Sequence, residues 1–422
     1  MVDVPFFIPC FLLGTLSPYA VALRQRQYPQ KGPGSVSGEV FFWSTAGSIA
    51  GSLLAGFVLI PHIPLSSIIT AMAILLLGIG FVGMGDPRRL VSKRGLLLLL
   101  LIAATALIST KEIRLTRPIY AKDGAYQRLA VYDDLRDGRP TRFLRQDGTA
   151  SGAMFIDSDE HVYAYTRYYA VYRLFAPAIQ NALVIGGGTF TVPKALLREL
   201  PEAHVDVVEI EPDLKTIGRQ FFRLPDDPRL AIHIADGRRF LHEKGRDYDL
   251  IFSDAYQSLI FVPPHLATKE FFEAGKRRLR ADGVFVANIV GDPTDTGRSF
   301  LFSEMRTFRD VFPNSYFFTV QAPKPGAIRN VIFVGLNGET RFDISAEARR
   351  HADQFTRELP DHFFDTGTVD LSTHAPFTDD FAPVEYIAAR GFLEPGRRTA
   401  PFRPEMPVRD AYTEPPSAPE KQ

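Results

Sequence analysis

The chain has 422 residues, 45% hydrophobic and 23% charged, which is room for two or three domains in a globular protein with an added membrane portion. Lys+Arg and Asp+Glu both number 48, so the basic excess that usually accompanies nucleic-acid binding is missing. The single cysteine, Cys10, excludes an intrachain disulfide framework and a cysteine-based metal cluster.

Residues 4 to 110 differ from the rest. The runs Val4–Leu23, Val40–Ile60 and Ile63–Met84 are each about long enough to cross a hydrocarbon core, and Gly95–Thr110 is a shorter leucine-rich run. In the second, Gly47, Gly51 and Ala55 recur every four residues, a spacing of small side chains that lets two membrane helices approach closely. Basic residues follow the first run (Arg24, Arg26, Lys31), the third (Arg88, Arg89, Lys93, Arg94) and the fourth (Lys111, Arg114, Arg117). By the positive-inside rule the loops after the first and third runs lie in the cytoplasm. A fourth run that crosses would put the soluble part outside, and one that is interfacial or re-entrant, as its short length permits, predicts a multi-pass protein of the inner (cell) membrane with its soluble part in the cytoplasm. No charge lies mid-span, which favours anchor or scaffold over transporter.

Downstream, Tyr126–Asp134 and Thr141–Asp147 read as strands around an Asp137-Gly138 hairpin turn, and Ser151–Ile156 adds a third. Asp159–Phe175 reads as a helix rich in tyrosine. Asn181–Asp213 then spells strand, glycine loop, helix, strand: apolar Ala182–Ile185, Gly186-Gly187-Gly188, a helix carrying Pro193 in its first turn, and Val205–Ile210. Glycines let a ligand approach the main chain beside a helix N-terminus, and Glu209 ends the second strand where a carboxylate can accept both hydroxyls of a ribose. Thr191 stands where the dinucleotide pattern G-x-G-x-x-G has its third glycine, so a nucleoside site is favoured over an NAD site.

The alternation continues. Strands at Leu230–Ala235 and Tyr248–Ser253 end in Asp236-Gly237 and Asp254, a helix Thr268–Leu279 leads to the strand Gly283–Val290, and a helix Arg298–Phe312 precedes a terminal antiparallel pair, Tyr316–Gln321 and Asn330–Leu336. The expected fold is α/β: a doubly wound, mostly parallel Rossmann-like sheet of the class I methyltransferase type, preceded by a small antiparallel sheet and a transmembrane helical region. The expected boundaries are 1–118 for the membrane region, 119–158 for the small sheet, 159–392 for the nucleoside-binding domain and 393–422 for a disordered tail. In open α/β sheets ligands bind beyond the carboxyl ends of the strands, and four successive ends here carry Gly186–Gly188, Glu209, Asp236-Gly237 and Asp254. His265 reads as a loop or helix-start residue and His233 as a core or edge residue.

On GAYQ, IGGG, VVEIEPD, ADGRRFL, YDLIFSDAY and VPPHLATKEFF, the stretch from Tyr126 to Tyr386 resembles the spermidine synthase family. PFFIPCFLLGTLSPYAV and STAGSIAGSLLAGFVLIP resemble its bacterial membrane-fused branch. The resemblance implies that Gln127, Gly186, Gly187, Gly188, Glu209, Asp236 and Gly237 bind the nucleoside co-substrate, decarboxylated S-adenosylmethionine or S-adenosylmethionine. It implies that Asp254 accepts the proton of an attacking amine, that Tyr163 and Gln257 face the amine, and that the domains pair as a homodimer. No metal is needed, because the sulfonium is already an activated leaving group.

Three positions depart from the family: Thr189, Tyr165 and Gln257 stand where it carries acids. A diamine is a dication, and selecting it in a partly enclosed site requires carboxylates. The sequence therefore implies a membrane-anchored aminopropyltransferase-like enzyme of polyamine biosynthesis with altered acceptor specificity. The alternatives are an S-adenosylmethionine-dependent methyltransferase and a non-catalytic nucleoside or polyamine sensor.

Overall fold

A computed structural model of the chain describes residues 3–63, 65–84, 118–147, 149–176, 178–243, 245–256, 262–294 and 299–387. The fourth apolar run, the candidate Gln257 and the tail from residue 393 lie outside them. The chain divides into two compact units, Met1–Ala106 and Leu107–Gln422.

In the first unit, helices cover Asp3–Gln27, Pro33–Leu54 and Leu65–Met84, and a π-helical turn at Ala55–Leu59 extends the second. Among the described residues, Pro33–Leu59 is the one helix long and apolar enough to cross a membrane, and Ser67–Gly80 is a shorter apolar stretch. The several crossings read from the sequence thus reduce to one on this criterion. Glu39 accepts from Arg24 at 2.6 Å and Lys31 at 3.3 Å, which joins the first two helices and neutralises part of the basic cluster between them. A Cβ on Gly47 or Gly51 would meet nothing within 4 Å, so the small-residue face has no close neighbour among the described residues.

The second unit opens with an antiparallel sheet of four strands in sequence order: β1 (Tyr120–Asp123), β2 (Arg128–Arg136), β3 (Arg139–Gln146) and β4 (Thr149–Phe155). Asp137 and Gly138 both have positive φ, 51° and 75°, as a two-residue type I′ hairpin turn requires. The sequence did not reveal β1, whose four residues alternate weakly between polar and apolar.

A seven-stranded sheet follows, ordered β10-β11-β9-β8-β5-β6-β7. Its strands are β5 (Asn181–Ile185), β6 (His204–Glu209), β7 (Leu230–Ile234), β8 (Tyr248–Ser253), β9 (Leu279–Gly291), β10 (Ser315–Thr319) and β11 (Arg329–Leu336). β7, β6, β5, β8 and β9 are parallel, and β11 and β10 close one edge antiparallel. Every residue of β5 is buried, because both faces are covered. Val184, Val207 and Phe252 join the core that includes the helices Thr191–Glu199 and Asp213–Phe221. Leu183, Val208 and Ile251 join the opposite core with the helices Lys269–Arg277 and Phe300–Val311. That second core is dense in phenylalanine: Phe285 meets Phe272, Phe308 and Phe312 at centroid distances of 5.8, 6.1 and 5.6 Å.

Two elements differ from the sequence reading. The tyrosine-rich stretch is a 3-10 helix over Ala164–Leu174, and its buried Tyr168, Tyr169 and Tyr172 serve the core as expected. β9 starts at Leu279, four residues before the expected Gly283, with a register irregularity against β8 between Tyr248 and Leu250. Asp282 and Gly283 are carried inside this irregular strand start.

Candidate active site

Chain connections run from β5 to β6 on one side, and β8 returns to pair with β5 on the other, so the carboxyl ends of β5 and β8 flank the point where strand order reverses. The Gly186–Gly188 loop leaves β5 there and Asp254 follows β8. The two ends are held together by the Asp254 N–H, which donates to the Ile185 carbonyl at 2.9 Å. Gly186 has φ 98°, and a Cβ on it would sit 2.4 Å from the Asp254 carbonyl oxygen, so only glycine serves. Phe190 is also left-handed (φ 56°) and fully buried, locking the loop before the helix Thr191–Glu199. Nothing in the sequence marks a phenylalanine for that conformation.

Glu209 is buried at the end of β6. One carboxylate oxygen accepts the N–H groups of Gly187 at 2.7 Å and Gly188 at 3.4 Å, and the other accepts the Glu211 N–H at 2.8 Å. Burial raises its pKa, opposed by these backbone donors. The carboxylate thus fixes the glycine loop as well as lining the cavity. Glu211 is fully buried and accepts the N–H groups of Ala125 at 3.3 Å and Tyr126 at 3.0 Å. It anchors the loop between β1 and β2, and through it Gln127, to the end of β6. The sequence contained this acid in VVEIEPD, but its partners lie 85 residues away.

Asp236 caps the helix Gly237–His242 by accepting the Arg239 N–H at 2.8 Å, and its second oxygen pairs with His265 Nε2 at 2.8 Å. Burial disfavours its charge, yet the Arg239 N–H and His265 hold its pKa below the ordinary value. His265 lies in a 3-10 turn over Pro264–Leu266, a loop residue as expected, with the added role of orienting Asp236. His233 sits on the edge strand β7, 3.1 Å from Asp206. Gly237 packs against Ile185, whose Cγ2 would be 2.5 Å from an added Cβ.

Asp254 accepts from Asn288 Nδ2 at 2.8 Å and from the Tyr165 hydroxyl. Asn288 Oδ1 in turn accepts from Asn330 Nδ2 at 2.9 Å, and the Tyr256 hydroxyl donates to the Asn288 carbonyl at 2.7 Å. Burial pushes the Asp254 carboxyl up to about 6, and hydrogen bonds from Asn288 and Tyr165 oppose the rise. A carboxylate poised there is suited to accept a proton near neutral pH. Tyr163 stacks on Tyr165 with centroids 6.1 Å apart, forming an aromatic wall beside Asp254.

Gln127, Tyr163, Gly186, Gly187, Gly188, Glu209, Asp236, Gly237 and Asp254 all line one cavity of about 770 Å³, large enough for a nucleoside donor together with a small acceptor. The structure thus gathers every site residue expected from the sequence except Gln257, which is outside the described residues. Thr189 also lines the cavity, its hydroxyl 2.9 Å from that of Thr191 and its methyl against Gly152, where an added Cβ would be 2.5 Å away. Asn288, Asn330, Tyr256 and Arg329 were not foreseen. The one available sign was Asn288, a polar residue interrupting the apolar run of VFVANIV.

A doubly wound sheet with an acid after β6, a glycine loop after β5 and a poised carboxylate after β8 defines an enzyme of the Rossmann-like transferase class. Residues 163–339 match the family described as "Spermine/spermidine synthase domain", the family that this part of the chain resembles. The polyamine aminopropyltransferase of Vibrio vulnificus is 28% identical over 300 residues, covering 69% of this chain and 98% of that protein. That of Clostridium beijerinckii is 32% identical over 180 residues, and there the match covers 42% of this chain and 60% of the relative. Among solved structures, a probable spermidine synthase from Corynebacterium glutamicum matches with TM-score 0.47 and 23% identity over 55% of this chain and 84% of that one.

Proposed function

We propose that the cavity binds the nucleoside of decarboxylated S-adenosylmethionine and transfers its aminopropyl group to an amine, with Asp254 as the proton acceptor. The observation that carries this reading is the position of Asp254. It lies in the cavity wall, beside the glycine loop and poised near pH 6 by burial, with Asn288 and Tyr165 fixing its orientation.

On this reading Gly186–Gly188 admit the donor close to the main chain, Glu209 accepts its ribose hydroxyls, Asp236 and Gln127 face the base, and Tyr163 shapes the acceptor side. The acceptor's neutral nitrogen attacks the carbon next to the sulfonium. The C–N bond forms as the C–S bond breaks, the bonding pair leaves with sulfur as methylthioadenosine, and the extra proton passes from nitrogen to Asp254 and then to water. The protein contributes orientation and proton removal, since the sulfonium needs no further activation.

Thr189 favours a second reading. A neutral side chain where the family has an acid leaves no negative charge to repel the carboxylate of S-adenosylmethionine, which is compatible with methyl transfer on the same sheet.

We also read the first unit as a membrane anchor, supported by the length and apolarity of Pro33–Leu59 and by the exposure of Trp43 (68%) and Phe57 (75%), side chains that need an apolar environment. The catalytic unit is proposed to lie on the cytoplasmic side of the cell membrane, and a reporter active only in the cytoplasm, fused after Tyr386, tests it by being active.

The test of the chemistry is amine-dependent release of methylthioadenosine from decarboxylated S-adenosylmethionine by the full chain in detergent. Release together with an aminopropylated amine is expected. Formation of S-adenosylhomocysteine from S-adenosylmethionine, with no methylthioadenosine from the decarboxylated donor, would replace this reading by methyl transfer.

A further inference from the structure

The wall of the cavity carries a positive charge that no carboxylate among the described residues neutralises. Arg329 opens β11, opposite Gly291 of β9, and lines the cavity. Its Nη1 reaches the carbonyl of its neighbour Ile328 at 3.1 Å, and its Nε is enclosed without a hydrogen-bond partner. Among the described residues no carboxylate lies within ion-pairing distance of its guanidinium, whereas Arg142, Arg229 and Arg238 each find one.

The next residue, Asn330, begins the relay that ends at the proton acceptor: Asn330 to Asn288 at 2.9 Å, and Asn288 to Asp254 at 2.8 Å. Arg329 lines the same cavity as Asp254. The other carboxylates of the cavity have partners of their own. Glu209 takes the glycine-loop N–H groups, Asp236 takes His265 and the Arg239 N–H, and Asp147 takes the Arg128 N–H at 2.8 Å.

A site for a dication would place acids on both sides of the reacting nitrogen. Here Asp254 shares the cavity with Tyr165, Tyr256 and Thr189, all neutral, and Arg329 adds a cation. A second ammonium would meet repulsion in that surrounding. A planar guanidinium with free donors matches a carboxylate in a two-point fork.

We propose that Arg329 is a specificity residue that binds a carboxylate of the ligand in this cavity. The inference rests on the nucleoside-site reading and adds the chemical class that the acceptor side selects. The carboxylate can belong to the donor, as in S-adenosylmethionine with its carboxylate retained, or to an amino-acid-like acceptor whose amine faces Asp254.

The test is calorimetric titration of the full chain in detergent with two ligand pairs that differ in a carboxylate. The first pair is S-adenosylmethionine and decarboxylated S-adenosylmethionine. The second, measured with methylthioadenosine saturating, is 4-aminobutanoate and putrescine. In Arg329→Gln the carboxylate-bearing member of one pair should bind tenfold or more weakly, while its counterpart and methylthioadenosine change less than twofold. Loss in the first pair assigns the carboxylate to the donor, and loss in the second assigns it to the acceptor. Equal changes within both pairs, or a parent protein that binds methylthioadenosine but neither carboxylate-bearing ligand, would overturn the proposal. A parent that does not bind methylthioadenosine would instead overturn the nucleoside reading beneath it. Should Arg329→Gln lose methylthioadenosine binding through misfolding, Arg329→Lys replaces it, keeping the charge without the fork. It should weaken the same ligand severalfold, and an unchanged affinity there contradicts the proposal.

Discussion

The two halves of the cavity are built on different principles. The half proposed to hold the donor is made from backbone: Gly186 in a left-handed conformation against the Asp254 carbonyl, Gly187 and Gly188 donating to Glu209, and Asp236 capping a helix. The half proposed to hold the acceptor is made from side chains that strands distant in sequence bring together, Tyr165 before the sheet, Asn288 on β9 and Arg329 and Asn330 on β11. Backbone chemistry tolerates few substitutions, whereas side chains can be exchanged without disturbing the sheet. A chain of this build can keep its donor while changing what it accepts.

Substitutions that break one half and spare the other sharpen the contrast. The largest effect is expected from Asp254→Asn, which should cut turnover about 10²–10⁴-fold, the usual worth of a general base, while methylthioadenosine affinity stays within about twofold. Steady-state rates and calorimetry separate the two, and a joint loss of rate and binding would make Asp254 a structural residue.

Glu209→Gln should do the reverse, weakening methylthioadenosine by about 1.5–3 kcal/mol, the range for a hydrogen bond to a charged group. Unchanged affinity would remove Glu209 from the nucleoside site.

Next in size is the pH dependence. With Asp254 raised from 3.8 to about 6, kcat/KM should fall as pH drops through about 6, and Asn288→Ala, which removes a bond favouring the carboxylate, should move that limb upward by about one pH unit. A limb that does not move would detach Asn288 from the proton acceptor. The same shift has a stability sign. Folding favours the protonated form, so this carboxyl's contribution is complete below pH 3.8 and is lost as pH rises through about 6.

The smallest expected change is a gain: Thr189→Asp with Gln257→Asp should improve use of putrescine with decarboxylated S-adenosylmethionine by about 1 kcal/mol for each added charge. No gain in a folded double variant would mean that these positions do not face the ammonium groups.

The same division explains what could be read in advance. Gly186–Gly188, Glu209, Asp236 and Asp254 were legible because each closes a strand in a regular alternation, where position alone assigns the chemistry. The antiparallel addition of β11 and β10 was also legible, from two short apolar runs around a glycine-bearing loop. The relay through Asn288 and Asn330 was not, because it depends on the register of β9 against β11, and register is a tertiary property. Phe190 adopts a left-handed conformation that its residue type disfavours, held there by packing against Gly187 and Gly218. Glu211 carries no mark in the sequence, because the Ala125 and Tyr126 N–H groups reach it only through the fold.

The central claim is that the glycine-loop half of the cavity holds a sulfur-bearing adenosine nucleoside. Calorimetric titration of the full chain in detergent with methylthioadenosine tests it most directly, with Glu209→Gln measured alongside. The account predicts saturable one-to-one binding by the parent and a clear loss in Glu209→Gln. Absence of binding by the folded parent, or equal binding by the two proteins, would contradict it.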